Sequence, residues 1–84
     1  MEIIEKVKAL LQERFPGADV DVESSPYSEK VSGYLVWNGF EDLEQIDRQD
    51  LVVSWLRQQL GAEARRVSVI LTYSPNEYHM MSLA

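Results

Sequence analysis

Val67-Ser68-Val69-Ile70-Leu71-Thr72-Tyr73, followed without a gap by Ser74-Pro75-Asn76-Glu77, decides how the rest of the chain is read. The first seven residues are rich in β-branched and aromatic side chains, the composition of a strand. The next four combine a serine able to cap a helix, a proline at the first helical position and a glutamate at the third. A strand that runs directly into a short terminal helix is therefore predicted. Upstream, apolar residues recur at Leu43, Ile46, Val52, Val53, Leu56 and Leu60, the spacing of an amphipathic helix, and Gly61 ends the run. Asp42 is the expected cap of that segment, with Gln45 three residues on. Asp47 and Asp50 interrupt its stripe, which suggests a short helical turn and then a longer helix from about residue 48.

Further out, the period changes. Ala18, Val20 and Val22 alternate with Asp19, Asp21 and Glu23, and Val31, Gly33, Leu35 and Trp37 alternate with Ser32, Tyr34, Val36 and Asn38. These are two half-buried strands joined through the Ser24–Lys30 loop. Ile3, Val7, Leu10, Leu11 and Arg14 form an opening helix that stops at Phe15-Pro16-Gly17. The expectation is a single α+β domain over residues 1–84, in the order α-β-β-α-β with a short C-terminal helix. Its three-stranded mixed sheet pairs the last strand parallel to the second by a right-handed crossover, and helices cover one face. Strict alternation assigns Val20, Val22, Leu35, Trp37, Val69 and Leu71 to the covered face. Tyr34, Val36 and Ile70 would form an apolar island on the open face, beside Asp19, Asp21, Glu23 and Thr72.

Composition narrows the function. The 84 residues carry 14 acidic and 8 basic side chains, a net charge of −6, and 45% are hydrophobic, which suits an ordered domain. Absence of cysteine removes disulfides, thiol nucleophiles and thiolate ligands. No apolar run is long enough to cross a membrane, and Met1–Glu5 has no signal or transit pattern, so a cytoplasmic chain is expected. Nucleic acid is a poor match for this charge, since polyanion binding draws on a basic surface and only Arg65-Arg66 make a local basic pair.

Catalytic chemistry finds little to work with. His79 is the only histidine, no G-x-S-x-G turn is present, and no two of Gly17, Gly33, Gly39 and Gly61 have phosphate-loop spacing. A non-enzymatic chain is the expectation. Asp19, Asp21 and Glu23 on one strand face have the donors for a hard cation, but a solvated polar face is the reading adopted and no metal site is expected. Glu41, Asp42 and Glu44 suit a helix start, where negative charge complements the dipole.

Phe40, Ile46, Arg48, Leu51 and Val52 follow the spacing F-x-G-x-x-x-V-x-R-H-R-x-V, and Thr72-Tyr73-Ser74-Pro75-Asn76-Glu77-Tyr78 looks like T-x-T-P-x-E-W with serine for threonine and tyrosine for tryptophan. On these motifs and the Phe15-Pro16-Gly17-Ala18 turn, nearly the whole chain resembles BolA-like proteins. Asp42 replaces the glycine, Gln49 the histidine and Asp50 the second basic residue of the first motif. The resemblance implies an α+β fold close to that of type II KH domains and a monothiol glutaredoxin as protein partner. It also implies a shared iron–sulfur cluster, ligated by a histidine just before the last strand and often by a second ligand from the loop between the first two strands. Register from Pro75 puts Arg66 at that histidine position, and the loop has neither histidine nor cysteine, so this sequence argues against cluster ligation and no cofactor is expected. The partner-facing region implied by the resemblance comprises Arg48, Arg65, Arg66, Ser74, Pro75, Glu77, Tyr78 and His79, used by a regulatory interaction adaptor. A KH-like nucleic-acid module is the alternative. It lacks the G-x-x-G backbone clamp.

Overall fold

A computed structural model describes residues 3–24, 27 and 30–83. Helix α1 spans Ile3–Arg14 and strand β1 Asp19–Ser24. Strand β2 spans Val31–Val36, helix α2 Gln45–Leu60, strand β3 Val67–Tyr73 and helix α3 Pro75–Ser82. Short 3-10 turns, Asn38–Phe40 and Gly61–Arg66, precede α2 and β3. The sheet order is β1-β2-β3, antiparallel for the first pair and parallel for the second. The expected element order and mixed three-stranded sheet are therefore found. Most of the Ser24–Lys30 loop lies outside the described residues.

The core lies between the sheet and the two long helices. Val7, Leu11, Phe15, Val31, Leu35, Phe40 and Val52 are sealed from solvent. Phe15 meets Trp37 edge-on at 5.0 Å and Phe40 at 5.4 Å, closing the end where α1 turns into β1. Trp37 Nε1 donates to the Pro16 carbonyl (3.1 Å), so the indole packs inward while its one polar atom is satisfied. Gly17 makes that turn with φ 82, a left-handed conformation suited to glycine. Trp55 is half-buried and donates to the Leu10 carbonyl at 2.9 Å, tying α2 to α1.

Three expectations are corrected. First, β3 does not alternate strictly. Val31 pairs with Val67 but Gly33 pairs with Ile70, so two residues of β2 span three of β3. This bulge reverses the phase of everything after it. Ile70 and Thr72 go to the core face, 4% and 2% exposed, while Val69 and Leu71 point out at 52% and 48%. The proposed island of Tyr34, Val36 and Ile70 therefore does not exist: Ile70 belongs to the core and Val36 is itself buried. Secondly, α2 starts at Gln45 with Glu44 as its cap residue, not at Asp42, which lies in the turn after Asn38–Phe40. The helix also runs unbroken to Leu60. Asp47 and Asp50 are exposed, so they cost the buried stripe nothing. Thirdly, α3 reaches the sheet face opposite α1 and α2. Its Tyr78 ring stacks on Tyr34 at 5.4 Å and lies 6.0 Å from Tyr73.

Candidate functional site

Both groups of residues implied as partner-facing are anchored on β3, and its length separates them. Arg65 and Arg66 lie just before the strand and Ser74 just after it, about 25 Å apart at the usual rise per strand residue. The eight residues therefore form two clusters.

At the C-terminal end the predicted capping box is present. The Glu77 amide donates to Ser74 Oγ (3.2 Å) and the Ser74 amide to Glu77 Oε1 (2.7 Å), with Pro75 opening α3. Glu77 does a second job. Arg48 Nη1 donates to Glu77 Oε1 at 2.6 Å and Nη2 to Oε2 at 3.3 Å, while Arg48 Nε donates to the Leu43 carbonyl at 2.9 Å. The Arg48 guanidinium also lies over the Phe40 ring, 5.7 Å from its centroid. The Arg48 side chain is only 4% exposed, against 44% for Glu77. Hydrogen bonding from Arg48, then from the Ser74 amide, holds the Glu77 carboxyl below its ordinary range. Arg48 thus clamps α3 to α2 and turns its charge inward, away from any partner. Ser74 is buried and Tyr78 half-buried in the same junction, leaving Pro75 and His79 exposed.

The N-terminal end is built differently. Gly61 closes α2 with φ 59, its amide bonded to the Arg57 carbonyl, and the Gly61–Arg66 turn brings both arginines to the start of β3. Lys6 pairs with Glu63 at 3.2 Å and ties that turn to α1. Between α2, the turn and β3 lies a groove of about 670 Å³. Val52, Val53, Leu56 and Ile70 supply apolar lining, and Arg57 and Arg65, both exposed, supply positive charge. Gln49 lies at its other side, donating to the Ile70 carbonyl (3.0 Å) and to Thr72 Oγ1 (3.3 Å), and Gln45 donates to the Thr72 carbonyl (3.1 Å). These two glutamines satisfy part of the outer edge of β3, which would otherwise offer itself to another strand. Sequence reasoning reached Arg65 and Arg66 but missed Gln49, Val53 and Arg57. Their spacing at i, i+4 and i+8 on α2 was the available signal.

The donor set does not suit an iron–sulfur cluster. Arg66, at the position implied for a ligand, is a cation with no lone pair to give, and the single histidine, His79, lies beyond the far end of β3. No group of three or more histidine, cysteine or carboxylate side chains is placed to hold a metal among the described residues. No helix among them is long and apolar enough to cross a membrane.

The sequence matches no family model and no curated protein. Solved structures do resemble it. BolA1 from Arabidopsis thaliana superposes with a TM-score of 0.75 at 22% identity, covering 88% of this chain and 93% of that one. The BolA domain of SufE1 from Arabidopsis thaliana gives 0.72 at 17% identity, with the same coverage of 88% and 93%. A bol-like protein from Babesia bovis gives 0.69 at 21% identity over 98% of this chain and 95% of that one. Together with the element order and the parallel β2–β3 pair, these likenesses show that the chain has the BolA-like fold.

Proposed function

We propose that this chain is a non-enzymatic interaction and regulatory adaptor that binds a monothiol glutaredoxin through the groove between α2, the Gly61–Arg66 turn and β3. The observation that carries the reading is the pairing of an apolar lining with two exposed cations, Arg57 and Arg65, on a chain whose net charge is −6. Local positive charge on an acidic molecule selects a partner's orientation and speeds encounter, while apolar contact supplies most of the affinity. Support for the partner's identity comes from the BolA-like fold and from the motif resemblance around Arg48 and Ser74–Tyr78. Arg66 replaces the implied ligand, so the interaction does not depend on this chain ligating a cluster. The segment 41–60, which holds five acids against two bases, argues against the KH-like nucleic-acid reading.

Titration of isotope-labelled protein with a monothiol glutaredoxin tests this directly. Backbone amide shifts should concentrate on Gln49, Val53, Arg57 and the 61–68 segment. The visible spectrum of a cluster carried by the glutaredoxin should stay unchanged. Shifts confined to residues 74–83, or none at all, would refute the groove as the docking site.

A further inference from the structure

The groove beside β3 is charged at one end and apolar along the rest. α2 and β3 run antiparallel, since Gln45 bonds to Thr72 and Gln49 to Ile70, so Arg57 and Arg65 come together at one end and Gln49 stands at the other. Gln49 spends its amide donors on the Ile70 carbonyl and Thr72 Oγ1, which leaves that end neutral. Between the ends, the turn contributes only Gly61, Ala62 and Ala64 to the lining, too little side chain to fill the space. The floor is made by Val52, Leu56 and Ile70, all buried. Among the described residues no carboxylate lines the groove and neither arginine forms an ion pair, although acids outnumber bases 14 to 8 in the chain. Its volume of about 670 Å³ lies within the roughly 300–1,000 Å³ usual for small-molecule sites.

We infer that the groove is also a binding site for a small amphipathic monocarboxylate with a medium-length unbranched chain, its carboxylate between Arg57 and Arg65 and its chain on Val52, Val53, Leu56 and Ile70. Guanidinium groups match a carboxylate in shape as well as charge. α2 ends nearby with a dipole worth roughly half a negative charge, which two arginines outweigh. The same lining excludes other classes of ligand. An ammonium head finds no carboxylate to pair with, and a nucleotide or sugar phosphate would press its hydroxyls onto an apolar floor without partners. A bound carboxylate would compete with glutaredoxin for the groove and so regulate the adaptor, a consequence that rests on the glutaredoxin reading.

The probe is decanoate, kept below its micelle concentration and titrated into labelled protein. Saturable amide shifts should centre on Val53, Leu56, residues 61–66 and Ile70. Octanoate should bind at least threefold more weakly, since each buried methylene is worth up to about fourfold in affinity. Decanol and decyltrimethylammonium should bind at least tenfold more weakly than decanoate. So should decanoate itself to Arg57→Gln/Arg65→Gln, whose positions are exposed and spare the fold. Equal binding of the three ten-carbon probes, unchanged affinity in the double variant, shifts centred on Val69, Leu71 or α3, or no saturable binding would overturn the inference. Competition separates it from the glutaredoxin reading. Decanoate seated in the groove with glutaredoxin binding undisturbed supports this site and refutes that one; glutaredoxin seated there with no decanoate binding does the reverse.

Discussion

At the C-terminal end of β3 an arginine is 4% exposed and forked onto a glutamate, whereas at the N-terminal end an arginine stands in solvent beside an apolar groove. The side-chain chemistry is the same; the surroundings decide its use. Arg48 projects from the stripe of α2 that faces the sheet and α3, so its charge is buried and needs a partner within the chain. Glu77 supplies it, already fixed by the capping box with Ser74. Arg65 leaves a 3-10 turn at the rim, where nothing removes it from water. One end of the strand therefore serves folding, and the other is available for recognition.

The largest effect that could break this comparison comes from Glu77→Gln. It strands a buried cation, a loss of roughly 3–5 kcal/mol for a fully buried pair. Because Glu77 itself is 44% exposed and water can partly reach the site, about 2–3 kcal/mol is expected here, read from urea unfolding. Arg48→Met should cost less, since the carboxylate it leaves behind can hydrate. Arg65→Glu should change stability by no more than about 0.5 kcal/mol, as surface substitutions do. Its cost falls on recognition instead: glutaredoxin affinity measured by calorimetry should drop at least tenfold, about 1.4 kcal/mol. Ser74→Ala removes the helix cap and should destabilise by about 1 kcal/mol. Amide exchange in α3 should quicken while the groove's affinity holds.

Two titrations sharpen the comparison by pH. The Glu77 carboxyl is held low in the folded chain, so its contribution is present above the ordinary carboxylate pKa and is lost as pH falls through the depressed value. Acid unfolding should therefore come at higher pH in Glu77→Gln. Tyr34 goes the other way. Its bond to Tyr78, then burial and the nearby Asp21, push it up to about 12. Between the usual tyrosine pKa of about 10 and that value the unfolded chain has lost a proton the folded chain keeps, so stability falls as pH rises. Tyr34→Phe should flatten that alkaline slope.

Much of this was legible in the sequence because it is local. The capping box, the bounds of β3 and the Gly17 and Gly61 stops depend on neighbouring residues, and each appears where the residues predict. What was not legible depends on contacts across the fold. Within β3 the bulge after Val67 carries no glycine or proline, its one cue being Gly33 opposite on β2, so the faces of Val69, Ile70, Leu71 and Thr72 came out reversed. The resemblance puts Arg48 in the partner-facing region, and its burial is not legible because it depends on Glu77, 29 residues later. The groove was only half visible: the arginine pair stands out in the sequence, and the spacing of Gln49, Val53 and Arg57 puts them on one face of α2, but that face becomes a groove wall only when α2 packs beside β3.

The most direct test pairs two variants, Arg48→Met and Arg65→Glu, and measures thermal unfolding and glutaredoxin affinity for both. A division of labour along β3 predicts that Arg48→Met lowers Tm with Kd unchanged, and that Arg65→Glu raises Kd with Tm unchanged. Loss of binding in Arg48→Met at an unaltered Tm, or full binding by Arg65→Glu, would contradict it.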